Sequence, residues 1–88
     1  GAYKVWKSIP GTGVSGSQHQ SGTCRMGNDP QTSVTDKFGR VHEVDNLFIA
    51  DGSLHVTNGS FNPVLTIMAL GYWVGDYIVK EWQGGNRF

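Results

Sequence analysis

The chain has 88 residues, with 7 Lys+Arg against 7 Asp+Glu, one cysteine and 13 glycines. It is one small domain at most and has no internal disulfide, and a zero net charge without a basic run removes the attraction that nucleic-acid or anionic-membrane binding requires. Charged residues make up 16% where about 25% is usual, and glycine is well above its ordinary ~7%, so polar surface is too scarce for a free-standing body and a piece of something larger is expected.

In chain order, Gly1 to Lys7 lacks an apolar h-region, so no signal peptide is expected there. Ala2 to Ile9 has enough Tyr, Val, Trp and Ile for a short strand. Residues 8–33 are dense in Ser, Gly, Asn, Asp and Pro and read as loop. Within them, Gly11-Thr12-Gly13-Val14-Ser15-Gly16 matches the dinucleotide pattern G-x-G-x-x-G, but Pro10 precedes it and no helical period follows. That pattern needs a buried strand before it and a helix opening at its last glycine, so a plain loop is the better reading.

Asp36-Lys37-Phe38-Gly39 reads as a turn, and Arg40 to Val44 alternates as a half-buried strand does. Asp45-Asn46 is a second turn signal. Leu47 to Ala50 is a short apolar run suited to a strand buried on both faces, ending in Asp51-Gly52-Ser53. Asn62 is a good N-cap and Pro63 suits the first helical position. The helix that follows is apolar on almost every face and stops at Gly84-Gly85. Such a helix is expected to be buried among other protein. Gly71, Gly75, Asp76 and Lys80 interrupt its apolar run, so no membrane span is expected.

Three segments carry the chemistry: His19-Gln20-Ser21-Gly22-Thr23-Cys24-Arg25-Met26-Gly27, Asn46-Leu47-Phe48-Ile49-Ala50-Asp51-Gly52-Ser53, and Asn62-Pro63-Val64-Leu65-Thr66-Ile67-Met68-Ala69-Leu70. In this order and spacing, from about Gln18 to about Val79, they resemble the C-terminal signature of the glucose-methanol-choline (GMC) oxidoreductases, FAD-dependent enzymes that oxidise alcohols and sugars. The resemblance implies an α/β fragment with a loop-rich first half, short strands and one buried C-terminal helix, completing the Rossmann-like FAD-binding domain of a larger chain. Residues 1–35 would form the active-site segment bordering the substrate domain, and residues 36–88 the strand and helix portion of the FAD domain. The partners implied are the remainder of those two domains and a small alcohol or sugar.

The residue chemistry agrees with that implication. Alcohol oxidation by hydride transfer needs a base for the hydroxyl proton, and histidine, with an ordinary pKa of about 6.5, takes and returns a proton near neutrality. By resemblance His19 is the base facing the flavin. Asn62 matches a position held by His or Asn in the family; its amide can both donate and accept, and so can orient the substrate oxygen. The amide-rich start of the helix at Asn62, Pro63 and Val64 suits the anionic edge of a reduced flavin, and Asp51 and Gly52 are implied to contact the ribityl-pyrophosphate part of FAD.

The other candidates carry less. His55 is the rival base, and Asp-Gly at 51–52 is also a common turn start. Cys24 reads as a small buried residue, Arg25 as a partner for an acidic group elsewhere, and His42 as exposed. No metal-ligand spacing is present. The alternative from another class is a small non-catalytic structural or protein-interaction module without flavin.

Overall fold

The computed structural model describes residues 1–8, 11, 19–59 and 62–88. The G-x-G-x-x-G residues 12–16, Gln18 at the start of the family-like region, and Ile9 at the end of the first expected strand lie outside the described residues. Among the described residues there is a 3-10 turn, Gly52–Leu54, and one long helix, α1, Val64–Gln83.

The helix ends where its glycines predict. Gly85 adopts φ 91°, its N–H donates to the Trp82 carbonyl, and the Asn86 N–H reaches back to Glu81. This is a Schellman arrangement, which satisfies the last carbonyls and needs the left-handed conformation that glycine adopts at least cost. The start differs from expectation by one position. Pro63 is the N-cap and among the described residues no side chain caps the helix, because Asn62 is turned toward His19 instead.

Strands are where expectation and structure part. Ala2 to Ser8 is irregular and exposed, and Arg40 to Val44 and Leu47 to Ala50 make only isolated bridges, Thr35 with Val41 and Arg40 with Phe48. A ladder needs a neighbour along its whole length. Here the 41–44 and 44–47 turns break the pairing after one residue, and Leu47 stays 46% exposed. The segment is therefore a laced loop, not a strand buried on both faces.

α1 packs this loop along one stripe. Gly39, at φ 75°, sits so close that a Cβ there would collide with the Ile49 carbonyl and lie 2.8 Å from Val74 Cγ2. Gly52 meets Ile67, and Gly71 meets the Ala50 carbonyl. Ile67, Gly71 and Val74 follow the i, i+4, i+7 spacing of one helix face. The expected turn at residues 36–39 forms: Asp36 Oδ1 accepts from the N–H groups of Phe38 and Arg40. It delivers Phe38 onto the Tyr77 ring, with centroids 4.0 Å apart, while Trp73 Nε1 donates to the Lys37 carbonyl at 3.0 Å. Burial and the nearby Glu81 carboxylate push the Tyr77 phenol above its ordinary value.

The helix is not buried within this chain. Leu65 is 83% and Tyr72 79% exposed, and Val74 is its one buried residue. The physical reason is supply: residues 37–54 cover a single stripe and leave the other apolar faces open. The chain's accessible surface is 7131 Å², against about 5100 Å² for a compact monomer of this mass. Its radius of gyration is 17.9 Å, against about 12 Å for a compact chain of this length. No helix among the described residues is long and apolar enough to cross a membrane.

Candidate active site

Tight local constraints place His19. The segment after it is laced to the 3-10 turn: Cys24 N–H donates to the Ser53 carbonyl and Met26 N–H to the Leu54 carbonyl, both at 3.1 Å. Gly22 lies where the two segments approach. It adopts φ 86°, and a Cβ there would stand 3.3 Å from the His55 carbonyl. A side chain at residue 22 would strain the backbone and push this segment off the turn.

The result joins two sequence-predicted residues that are 43 positions apart. His19 Nε2 and Asn62 Oδ1 are separated by 3.0 Å. With the carbonyl oxygen as acceptor, the imidazole donates from Nε2; with the amide turned over, Nδ2 donates to the Nε2 lone pair. In both arrangements the imidazole edge and the amide converge on one point. A second bond holds the histidine's main chain: Asn58 Nδ2 donates to the His19 carbonyl at 3.1 Å. Sequence reasoning missed Asn58, since an Asn-Gly pair signals a turn and nothing in it points 39 residues away.

A cleft of about 470 Å³ opens beside Asn62, with Met26, His55, Asn58, Asn62, Pro63 and Thr66 in its wall. The N-terminus of α1 borders it. Its first intrahelical bond runs from Ile67 N–H to the Pro63 carbonyl at 2.9 Å, so the N–H groups of Val64, Leu65 and Thr66 have no intrahelical acceptor. No acidic residue sits in the first turn to offset the helix dipole. This end of the cleft is suited to a negatively charged group.

Gly52 packs against Ile67 of α1, and the first task of Asp51 is local. Asp51 Oδ1 accepts from the Ser53 N–H at 2.8 Å and from the Ser53 hydroxyl at 2.5 Å, capping the 3-10 turn. The Ser53 hydroxyl and then the Ser53 N–H hold the exposed Asp51 carboxyl below its ordinary value. A Cβ on Gly52 would lie 3.0 Å from Ile67 Cδ1 and 3.8 Å from the Gln20 carbonyl, so this glycine lets the turn fit between α1 and the His19 segment.

The remaining candidates separate clearly. His55 is only 9% exposed, and its Nε2 is shut off from solvent with no hydrogen-bond partner among the described residues. A base needs its nitrogen open to the substrate, which His55 Nε2 is not. His42 is half-buried, not exposed as expected. Ser33 Oγ donates to the Asp29 carbonyl at 2.6 Å and accepts from His42 Nε2 at 2.9 Å, a structural pair in which the serine is not activated. Arg25 Nε donates to the Thr32 carbonyl at 2.8 Å, and Cys24 is a half-buried free thiol. No group of three or more His, Cys, Asp or Glu side chains among the described residues converges as metal ligands would.

Comparison with known proteins gives the family. The family model described as GMC oxidoreductase matches residues 4–71. The chain is 50% identical over 65 residues to 2-methyl-1,2-propanediol dehydrogenase of Mycolicibacterium austroafricanum, covering 74% of this chain and 12% of that protein. It is 56% identical over 54 residues to 6'''-hydroxyparomomycin C oxidase of Streptomyces lividus, covering 61% and 10%. With the fructose dehydrogenase large subunit of Gluconobacter japonicus it shares 39% over 67 residues, covering 76% and 12%. The chain thus spans about a tenth of the length of these relatives. No solved structure matches it significantly. A family match over most of the chain makes this chain a member of the GMC oxidoreductase family.

Proposed function

We propose that the chain is the C-terminal catalytic segment of an FAD-dependent oxidoreductase that oxidises the CH–OH group of an alcohol or sugar. The observation that carries this reading is the 3.0 Å approach of His19 Nε2 to Asn62 Oδ1. A hydroxyl set against both groups donates its proton to the imidazole and accepts from the Asn62 amide, which aims the carbinol C–H away from the pair. His19 takes the proton as the C=O bond forms, so the carbon's hydrogen departs with its electron pair. FAD, when bound, supplies the acceptor for that hydride.

This chain's own residues fit such a cofactor. The uncapped N–H groups of Val64 to Thr66, beside the buried ring of Pro63, favour the negative charge that hydride transfer delivers. Asp51 is exposed and commits Oδ1 to Ser53, which leaves its other carboxylate oxygen for a ribityl hydroxyl, while Gly52 keeps backbone close to that oxygen. The names of the relatives point to small diols, aminoglycosides and fructose as substrates, so the hydroxyl-bearing compound belongs to the alcohol and sugar class.

The test uses the complete protein that carries these 88 residues. Purified protein is expected to be yellow, and its flavin to be reduced by 2-methyl-1,2-propanediol, fructose or an aminoglycoside with a primary hydroxyl. His19→Ala lowers that reduction rate by about 10²-fold or more. A colourless protein would defeat the reading, as would an unchanged rate in His19→Ala with a loss in His55→Ala. The 88 residues by themselves would retain no stoichiometric flavin.

A further inference from the structure

We propose that Asn58 is a positioning residue for the His19 base, a role that rests on the function proposed above. His19 is exposed, and among the described residues two bonds hold it: its ring to Asn62 and its carbonyl to Asn58. These bonds do not survive the reaction equally. A substrate hydroxyl that contacts both Nε2 and the Asn62 amide must come between them, so the ring contact is given up at the moment the base is needed. The Asn58 bond is to the main chain, not to the reacting nitrogen, so a hydroxyl placed at Nε2 does not displace it.

The surroundings fit that division of labour. Cys24, five positions beyond His19, is laced to the 3-10 turn, and Gly22 lies between them at a left-handed φ. Asn58 is half-buried in the cleft wall, four positions before Asn62. One short segment therefore grips the histidine twice, by main chain and by ring. An amide nitrogen is required at residue 58, because the atom it meets is a carbonyl that can only accept. Asn58-Gly59-Ser60 also matches the N-x-S glycosylation pattern, but the nitrogen that would carry a glycan is the one donating to His19.

The test is Asn58→Asp, the same shape with the donor replaced by an acceptor, with Asn58→Gln as the variant that retains the amide. Both are made in the complete protein and assayed with the alcohol probe that reduces its flavin. Asn58→Asp is expected to slow flavin reduction about tenfold or more, the scale on which small misplacement of a catalytic group acts. KM and the flavin-to-protein ratio stay within about twofold, since Asn58 touches neither reacting atom, and amide exchange across residues 19–23 speeds up. Asn58→Gln recovers part of the rate. Full activity and unaltered exchange in Asn58→Asp, with His19→Ala inactive, would overturn the positioning role alone; parallel loss of flavin and activity would overturn it too, by showing a merely structural role. Undiminished activity in His19→Ala would remove the proposed function itself.

Discussion

Replacing Asn62 by aspartate puts a carboxylate where the amide now meets His19, 3.0 Å from Nε2. Charge centres of such a pair lie about 4 Å apart, where the attraction is ~1 kcal/mol in water and ~4 kcal/mol at an effective dielectric of 20. At ~1.36 kcal/mol per pH unit, the imidazolium is favoured over the imidazole by about one to three pH units. Both side chains are exposed in this chain, which sets the lower figure as the minimum. The new carboxylate also sits before an uncapped helix N-terminus, which keeps it ionised and the helix intact. Because a protonated histidine cannot accept the hydroxyl proton, the acid limb of kcat/KM for flavin reduction moves up by at least about one pH unit. Raising ionic strength narrows the displacement where the pair stays in contact with solvent. An acid limb that holds its place, or moves down, would show that His19 is not the base or that residue 62 does not face it in the working enzyme.

Two further outcomes follow from the packing. Gly39→Ala forces a side chain into a left-handed φ and against the Ile49 carbonyl and Val74, which costs about 2–5 kcal/mol when the conformational and overpacking contributions are combined; thermal unfolding of the complete protein measures it, and an unchanged midpoint would refute the packing of this turn on α1. Asp51 titrates below its ordinary value because Ser53 donates to it twice. Its contribution to the 3-10 turn is therefore full above the unfolded value of about 3.9 and is lost as pH falls through the lower native value. Amide exchange at residues 53–55 should accelerate in that acid window in the wild type and lose the acid dependence in Asp51→Asn, which still caps the turn.

Part of the fold and site was legible in the sequence because its causes are local. The turn at Asp36 to Gly39 comes from an aspartate bonding N–H groups two and four positions on and from a glycine at positive φ. The end of α1 comes from Gly84-Gly85, and the family from three motifs in order. Local signals also suggested what did not form. Arg40 to Val44 and Leu47 to Ala50 have the composition of strands, but pairing is non-local, and among the described residues the first makes two isolated bridges and the second one.

Tertiary structure decided the matters that depend on which of several partners a polar group meets. The Asn62 side chain can cap a helix or reach across the cleft with equal chemistry, and it reaches His19 because the Gly22 segment, laced to the 3-10 turn, brings the imidazole within 3.0 Å. Asn58 carries no mark in the sequence beyond its place before a glycine, yet its amide meets a carbonyl 39 positions away. His19 and His55 are chemically alike as residues; burial of the His55 nitrogen and exposure of the His19 side chain separate them. By itself, the sequence determined residue types, turn sites and family, since these rest on short-range stereochemistry. The fold chose the partners, because hydrogen bonding and burial depend on distances that only the folded chain sets.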